Sequence, residues 1–242
     1  MKTVYLNNFM SSVVTELERN GQYSTAHVCG SVLRSVMTFD GDGLLLSGIT
    51  PLWLKAYEHY LLHIMRGSPS FIPELDVVAV HGGRIVGNIV YAKSVIRTDD
   101  GKECEVLGMG PISVLPEYQR RGIGRQMIEH TKMKAREMGF RAILLYGDPD
   151  YYSRHGFVAA ETLGIRTADD MYAAALQVCE LQEEALSSMK GRYVEAAVYD
   201  LDEKCAAEFD LHFPAKEMVS GTPSQKRFEK IAAMRRKADT GT

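Results

Sequence analysis

Two glycines and three arginines are concentrated where a predicted helix begins, in the segment PEYQRRGIGRQM (116–127). Ordering glycine costs more entropy than ordering any other residue, so Gly122 and Gly124 indicate that something approaches the backbone closely there. The first N–H groups of a helix have no intrahelical acceptor and lie at its positive end. With three arginines beside them, they predict a site for a phosphate-bearing ligand. The arginines are Arg120, Arg121 and Arg125.

Two established phosphate loops do not fit this segment. A Walker loop requires Gly-Lys-Ser/Thr at its end, and the segment has none. A dinucleotide-binding Rossmann loop requires a third glycine where Met127 stands, and it follows the first strand of its fold. We therefore expect neither a P-loop nucleoside triphosphatase nor a nicotinamide-dependent oxidoreductase.

The residues before this loop predict an antiparallel meander of three strands. β-rich runs flank the pair Gly82–Gly83, and the turn 98–103 leads into a third run. That third run carries Gly108, Gly110 and Pro111 in its middle, which indicates a bulge or a break in the ladder.

The residues after the loop predict a helix and then a buried strand. Apolar periodicity places the helix from about Gly122 to Met138, with Ile123, Met127, Ile128, Ala135 and Met138 on its buried side. Gly139 ends it. The apolar run 141–147 is typical of a strand buried on both faces. A strand, a helix and a strand in this order predict a parallel pair.

An amphipathic helix is also predicted upstream, from Trp53 to Arg66. Trp53, Leu54 and Tyr57 belong to its apolar face, whereas Glu58, His59 and His63 fall on the polar one. His59 and His63 are spaced to share a metal ion, but no glutamate follows His59 and no third ligand is visible. We therefore expect no metal site.

Composition narrows the class of protein. The 242 residues carry a net charge of −3, and a net charge of this sign does not favour binding to nucleic acid or to an anionic membrane. The four cysteines lie far apart, and no apolar run approaches the length of a membrane span. We expect free thiols and a cytoplasmic protein.

The segment Gln119–Gly124 resembles the acetyl-CoA motif of the GNAT superfamily of N-acetyltransferases, in which Arg or Gln, two residues and Gly precede one residue and Gly or Ala. A second signature of that family, a tyrosine shortly before Gly-Phe, is matched in DYYSRHGF by Tyr152 and Gly156. The resemblance is greatest to the bacterial YhbS-like branch and covers roughly residues 56–230. It implies a mixed α/β fold, with a mostly antiparallel sheet, a parallel splayed pair at the cofactor site and flanking helices.

The resemblance implies acetyl-CoA as cosubstrate and direct acetyl transfer to a primary amine. The pantetheine arm would lie along the broken strand and the pyrophosphate against the loop. Tyr152 would protonate the departing thiolate, because a phenol, with a pKa near ~10, still carries its proton at neutral pH. The expected cofactor-binding residues are Ile112, Ser113, Val114, Gln119, Arg120, Arg121, Gly122, Ile123, Gly124 and Arg125.

The general base and the acceptor site are less defined. Because the family often uses a carboxylate through water, Glu105 and Glu58 are candidate bases, and Glu58 and His59 are candidate substrate contacts. A charged residue on a strand edge or helix face is usually just solvated, and this is the stronger explanation for them. The sequence leaves the identity of the acceptor undetermined. A protein amine, a polyamine, an aminoglycoside or a small metabolite would each be compatible with the same cofactor-binding half of the domain.

A rival interpretation is a non-catalytic acyl-CoA-binding regulatory module of the same fold. The N-acetyltransferase domain is expected over residues 1–160, with 51–160 matched and 1–50 divergent. Residues 161–242 would add strands and a basic helix packed on the same domain. A homodimer paired through the C-terminal strands is compatible with the family. Two explanations suit the basic residues of the tail: they bind an acidic partner, or they form a helix face that is exposed to solvent.

Overall fold

A computed structural model describes residues 2–5, 58–81, 84–212 and 223–238. The strands are β1 (Lys2–Tyr5), β2 (Val77–His81), β3 (Arg84–Thr98), β4 (Glu103–Val114), β5 (Ala142–Tyr146), β6 (Val158–Ala159), β7 (Ile165–Arg166), β8 (Met171–Ala173), β9 (Leu176–Glu180), β10 (Gly191–Val194) and β11 (Arg235–Lys237). The α-helices are α1 (Glu58–Met65), α2 (Ile123–Glu137), α3 (Pro149–Tyr152), α4 (Glu203–Asp210) and α5 (Pro223–Ala233). The helix residues predicted at 53–57, the turn at 82–83 and most of residues 1–50 lie outside the described ranges.

One mixed sheet organises the described residues. Its order is β1-β2-β3-β4-β5-β9-β6, and β10 pairs with the far half of β3 and with β7. Pairing is antiparallel except between β4 and β5 and between β10 and β7. The expected mixed, mostly antiparallel sheet with a parallel pair, β4 and β5, is therefore confirmed, and β10 and β7 form a second parallel pairing.

The expected break in the third meander strand is a bulge. Ile89 pairs with Ile112 and Tyr91 with Met109, so two residues of β4, Gly110 and Pro111, oppose one residue of β3. An extra residue bends the strand that carries it and increases its local twist.

The parallel pair is short. β5 pairs with β4 only at Leu107↔Ile143 and Gly108↔Leu144, and the rest of β5 stays paired with β9 on its other side. Among the described strands, nothing but β3 pairs with β4 beyond Gly108, so its other edge is open from Met109 onwards. The two strands splay apart at the bulge.

Two layers cover the sheet. On one face α2 packs its apolar side, including Met127, Ile128 and Ala135, against a large core. Met138, predicted to be buried, is instead 37% exposed, because α2 ends at Glu137 and the backbone turns at Gly139, where φ is +85°. On the other face lie α1, α4 and the short turn Ala197–Tyr199.

The basic tail finds acidic partners within the chain itself. Arg227 of α5 pairs with Asp148 and Asp150 at the start of α3. Arg235 lies 2.6 Å from Asp169, and Arg236 pairs with Glu161. Helix α5, predicted from the segment TPSQKRFEKIAAMRRK, is therefore held against the molecule by ion pairs.

Two further properties concern the described residues alone. No described helix has the length and hydropathy to cross a bilayer. Cys104, Cys179 and Cys205 carry free thiols, and Cys29 lies outside the described ranges.

Strand β10 depends on the absence of a side chain at Gly191. A Cβ atom there would lie 2.2 Å from the Arg97 carbonyl oxygen, and backbone cannot give way as a flexible side chain can. We expect Gly191→Ala to lower the free energy of unfolding by about 1–3 kcal/mol or more through overpacking. Thermal unfolding measures it, with Gly67→Ala as the control, because the nearest atom to a Cβ at Gly67 is 3.6 Å away. Equal stability of the two variants would contradict the tight contact.

Candidate functional site

A cavity of about 510 Å³ opens at the N-terminus of α2, beside the end of β4. Four segments contribute to its wall: the last residues of β4, the loop that follows, the first turn of α2, and the chain around α3. The lining residues are Ile112, Val114, Tyr118, Gln119, Arg120, Gly122, Ile123, Gly124, Arg125, Tyr151, Arg154 and His155.

The start of α2 presents uncapped backbone donors to this cavity. Gly122 is the N-cap in a left-handed conformation (φ 78°), and no side chain caps the helix. The first intrahelical bond runs from Gln126 N–H to the Gly122 carbonyl (3.0 Å). The preceding N–H groups therefore have no acceptor within the helix and lie at its positive end. This arrangement favours an anion.

The loop before α2 is held in one shape by local contacts. The Gln119 side-chain amide donates a hydrogen bond to the Val114 carbonyl (3.0 Å), which closes the loop onto the end of β4. Arg120 has φ +57°, which few residues other than glycine adopt. Successive turns of this kind orient backbone N–H groups into an anion-binding concavity.

Eight of the ten residues predicted to bind the cofactor line the cavity. The other two are Ser113 and Arg121. Ile112 and Val114 both face the cavity, so the intervening Ser113 points to the opposite face of the sheet, where it is buried. Arg121 lies over the Tyr118 ring, with its guanidinium carbon 5.3 Å from the ring centroid.

Tyr152, the predicted proton donor, is fully buried next to the cavity wall. Its ring packs edge-on against Tyr151 (4.9 Å between centroids) and Phe157 (5.4 Å). Its hydroxyl has no hydrogen-bond partner among the described residues. Burial, followed by the charges of neighbouring groups, raises the pKa of Tyr152 well above its usual value of 10, so the phenol stays protonated.

Tyr151, the neighbour of Tyr152 in the chain, faces the cavity. A Cβ atom on Gly124 would lie 2.9 Å from the Tyr151 hydroxyl, so the glycine leaves room for that side chain. Both tyrosines are carried by α3, whose N-cap Asp148 accepts a hydrogen bond from Asp150 N–H (2.9 Å). The pKa of Asp148 is lowered chiefly by its hydrogen bond from Arg227. The C-terminal helix thus fixes the turn that positions the two tyrosines.

Sequence reasoning missed four lining residues: Tyr118, Tyr151, Arg154 and His155. His155 is buried, and burial lowers the pKa of its imidazole, so the ring is neutral near pH 7. Arg154 and His155 stand inside the quoted segment DYYSRHGF, between Tyr152 and Gly156, and this position is the signal that could have identified them.

Glu105 does not lie at the cavity. It is an exposed residue of β4 and pairs with Lys93 of β3 at 3.4 Å. It lies three residues before Gly108, the last residue of β4 that pairs with β5, which we call the splay point. It is absent from the cavity wall.

Glu58 and His59, predicted on a polar helix face, are buried. Helix α4 covers this side of α1, so His59 Nε2 lies 3.2 Å from Asp210 Oδ1 and its ring packs on Phe209 (5.5 Å). No other described residue donates a hydrogen bond to either carboxylate oxygen of Glu58, and burial, opposed only by an interaction with its own backbone, raises the pKa of Glu58 to about 7. His63 is exposed and stacks on Phe209 (4.7 Å). The expectation of a solvated face was wrong for the first two residues, because a helix unrecognised in the sequence packs there.

Residues 74–159 match the family described as "Acetyltransferase (GNAT) domain". The matched segment runs from the turn before β2 to the end of β6 and contains every residue of the cavity wall. These residues form a GNAT acetyltransferase domain.

Known proteins agree with this assignment. The chain is 28% identical over 148 residues to the uncharacterized N-acetyltransferase YhbS of Escherichia coli K12, covering 60% of this chain and 86% of YhbS. It is 33% identical over 86 residues to the uncharacterized N-acetyltransferase YjhQ of the same strain, covering 35% of this chain and 46% of YjhQ. The expected similarity to the YhbS-like branch is confirmed.

A solved structure supports the fold. The crystal structure of E. coli YhbS in complex with CoA superposes with a TM-score of 0.55 at 24% identity, over 67% of this chain and 96% of that chain. Likeness at this identity establishes the GNAT fold of the domain.

A second family, described as "Phage integrase SAM-like domain", matches residues 5–69. The structure describes Tyr5 and residues 58–69 of that segment. Within it, α1 packs Leu61, Leu62 and Met65 against Val78 and Val90 of the sheet. The described end of this match is therefore part of the layer that covers the acetyltransferase sheet.

The buried Glu58 predicts a stability that depends on pH. Its pKa is about 7 in the folded chain against 4.5 for an ordinary glutamate, so the folded state binds the extra proton between these values. Stability therefore falls as pH rises through this window, and the full cost applies above pH 7. We expect Glu58→Gln to raise the free energy of unfolding at pH 8 by at most on the order of 3 kcal/mol, and hardly at all at pH 4.

Denaturant unfolding at the two pH values measures this difference. Glu183→Gln is the matched control, because Glu183 is exposed and its substitution removes the same charge without changing a buried site. An equal effect of Glu58→Gln at pH 4 and pH 8 would show that the carboxyl is not destabilised by burial.

Proposed function

We propose that this domain binds acetyl-CoA in the cavity at the start of α2 and transfers its acetyl group directly to a primary amine. The observation that carries the proposal is the uncapped N-terminus of α2, which opens into the cavity beside the free edge of β4. The names of YhbS and YjhQ as N-acetyltransferases and the CoA in the YhbS crystal structure support it.

The residues around the cavity suit the two polar parts of acetyl-CoA. The N–H groups of Ile123, Gly124 and Arg125 suit the pyrophosphate, and the guanidinium of Arg125 adds charge at the same place. Peptide-like amides of the pantetheine arm can pair with the open edge of β4 along Ile112–Val114, whose backbone groups need partners.

Acetyl-CoA supplies a thioester, whose acyl carbon is attacked by the amine and whose thiolate leaves. In this proposal Tyr152 holds a proton for that thiolate. Its raised pKa keeps the phenol protonated beforehand, and its hydroxyl lacks a protein partner, as expected of a donor whose acceptor arrives with the substrate.

The burial of Tyr152 is also the observation that favours the rival function, a non-catalytic acyl-CoA-binding module. Tyr151, not Tyr152, lines the cavity. A buried hydroxyl that never meets the sulfur would leave binding intact and contribute nothing to transfer. The two functions therefore differ in what Tyr152 does, and not in whether acetyl-CoA binds.

We further propose that residues 161–242 complete the same domain. Strand β9 pairs with β5, and β10 extends the edge of β3. Helix α5 holds α3 through Arg227, so both tyrosines depend on this part of the chain.

A Gly124→Glu variant tests the cavity. Glutamate in the first turn suits the helix dipole, so α2 should fold. The new side chain would meet the Tyr151 hydroxyl and place negative charge where the pyrophosphate is expected. We expect acetyl-CoA to bind roughly 100-fold more weakly, a loss of about 2.7 kcal/mol, as measured by isothermal titration calorimetry.

Gly67→Glu is the control, because it introduces the same residue at an exposed glycine far from the cavity wall. Native-like binding by both variants would place the cofactor elsewhere. The absence of binding by the native chain would overturn the proposed function.

A Tyr152→Phe variant tests transfer against binding alone. Removing an unpartnered buried hydroxyl should not destabilise the fold. If Tyr152 donates the proton, kcat should fall by about 10²–10⁴, while the affinity for acetyl-CoA stays unchanged. Release of CoA thiol measures transfer to spermidine, kanamycin and a lysine-containing peptide. Tyr151→Phe is the matched control, because it removes the neighbouring hydroxyl. An unchanged kcat for Tyr152→Phe would remove this residue from the mechanism.

A further inference from the structure

Three buried tyrosines stand on the sheet face opposite α2, at the gap between β4 and β5. Tyr146 comes from β5, Tyr193 from β10, and Tyr199 from the turn Ala197–Tyr199; each is at most 5% exposed. The centroids of the Tyr146 and Tyr193 rings are 6.2 Å apart. We call these three residues the tyrosine cluster.

The tyrosine cluster is hydrogen-bonded to β4 at Gly108 and Gly110, where β4 separates from β5. The Tyr199 hydroxyl donates to the carbonyl oxygens of Gly110 (2.9 Å) and Gly108 (3.3 Å). A Cβ atom on Gly108 would lie 2.8 Å from both Ser94 Oγ and the Tyr193 hydroxyl. Because Tyr146 belongs to β5, the cluster reaches both strands where they part.

Glu195 lies among these rings. It follows β10 by one residue and is two residues from Tyr193, so both side chains lean to the same face. Next to burial, its charge is a cause of the raised pKa of Tyr146, Tyr193 and Tyr199. The Ala196 N–H donates to Ser94 Oγ (3.2 Å), which fixes the backbone beside it.

Its carboxylate has an unusual environment. In the described part of the chain, no hydrogen bond or ion pair reaches it. Burial raises the pKa of Glu195 to about 8, although the residue as a whole keeps part of its surface exposed. A desolvated, unpaired carboxylate that remains reachable from outside is typical of a functional group.

We propose that Glu195 is the base that takes the proton from the acceptor amine. This rests on the proposed function. Acetyl-CoA would lie in the cavity on the α2 face, while the amine approaches Glu195 from the other face, through the gap between β4 and β5.

The N–H bond of the ammonium breaks as an O–H bond forms on Glu195. The freed nitrogen lone pair forms the C–N bond, the C–S bond breaks, and the sulfur leaves with the electron pair and takes a proton from Tyr152. The product nitrogen then loses its second proton, which passes through solvent to restore the Tyr152 phenol. Glu195 then returns its proton to solvent.

The other acidic candidates fit this role less well. Glu105 is exposed and paired with Lys93. Both carboxylate oxygens of Glu58 are sealed from solvent, so no amine reaches them in this structure. Glu195 alone among these three combines an unpaired carboxylate and partial exposure with a place directly before Ala196, whose N–H is bonded to Ser94 Oγ beside Gly108.

The titratable groups near Glu195 allow its own titration to be distinguished in a pH profile of the reaction. The three rings of the tyrosine cluster all have raised pKa values, so they stay neutral across the working range. Asp169 and Arg235, which approach Tyr146, form a mutual pair at 2.6 Å. Glu58 on α1, beside the Ala197–Tyr199 turn, has its own raised pKa and is tested separately.

The test compares Glu195→Gln with the native chain on two kinds of acceptor. The first is whichever of spermidine, kanamycin and the lysine-containing peptide reacts fastest; such amines are protonated near neutral pH. The second is hydroxylamine, which is neutral there and needs no base. We expect transfer to the amine at pH 7.5 to fall by about 10²–10⁴ and transfer to hydroxylamine to stay nearly native. Native transfer to the amine should rise with pH and level off above pH 8, whereas transfer by the variant should continue to rise.

Controls separate the possible failures. Calorimetric titration should give the native affinity for acetyl-CoA in Glu195→Gln, which shows that the variant is folded. Glu208→Gln, on the exposed side of α4, should behave as the native chain. Equal losses with both acceptors, a near-native Glu195→Gln, or a base-specific loss in Glu58→Gln instead would each overturn the assignment of Glu195. A native chain that binds acetyl-CoA but acetylates no acceptor would overturn the proposed function, and the assignment with it.

Discussion

The separation of β4 from β5 is the constraint on which the rest of the site depends. The parallel pair lasts for two residue pairs, because the bulge at Gly110–Pro111 bends β4 away while β9 keeps β5 in place. Backbone groups beyond Gly108 are left without a strand partner, and buried backbone groups require one. A ligand with amides of its own can supply it. In the proposed reaction, this gap would let groups on opposite faces of the sheet act on one bond.

Each face contributes a different kind of group. The α2 face supplies positive potential: an uncapped helix terminus, a left-handed Arg120 and Gly122, and Arg125. The opposite face supplies buried carboxyl groups, Glu58 and Glu195, whose pKa values are raised by burial. Positive charge at a helix N-terminus holds an anion without altering it. A carboxylate with a pKa near neutrality can gain and lose a proton during a reaction. In the proposed reaction the cofactor would bind on the α2 face, where Tyr152 also lies, and Glu195 would act from the opposite face.

The sequence was most informative where local rules decide the structure. Helix α2, strand β5 and the parallel pair followed from apolar periodicity and from Gly139, and the bulge followed from Gly108, Gly110 and Pro111. Most of the cavity wall lies in one continuous segment: the glycines and arginines indicated its phosphate end, and the family resemblance implied the part along Ile112–Val114. The environments of Glu58 and His59 could not be predicted, because α4 covers them from a position far along the chain. Glu195 escaped notice for the same reason: RYVEAAVYDL reads as one strand, but β10 ends at Val194 and its pairing partner is the distant β3.

The cost of this arrangement indicates why it exists. An unpaired buried carboxylate destabilises the fold, and a glutamine or an apolar residue of similar size would remove the penalty. Sequences depart from stable packing mainly at functional sites. The described residues on the face opposite α2 include two such carboxylates, Glu58 and Glu195. Packing alone does not require either of them. Of the two, Glu195 stands next to the tyrosine cluster at the gap, which is where the proposed proton transfer would use it.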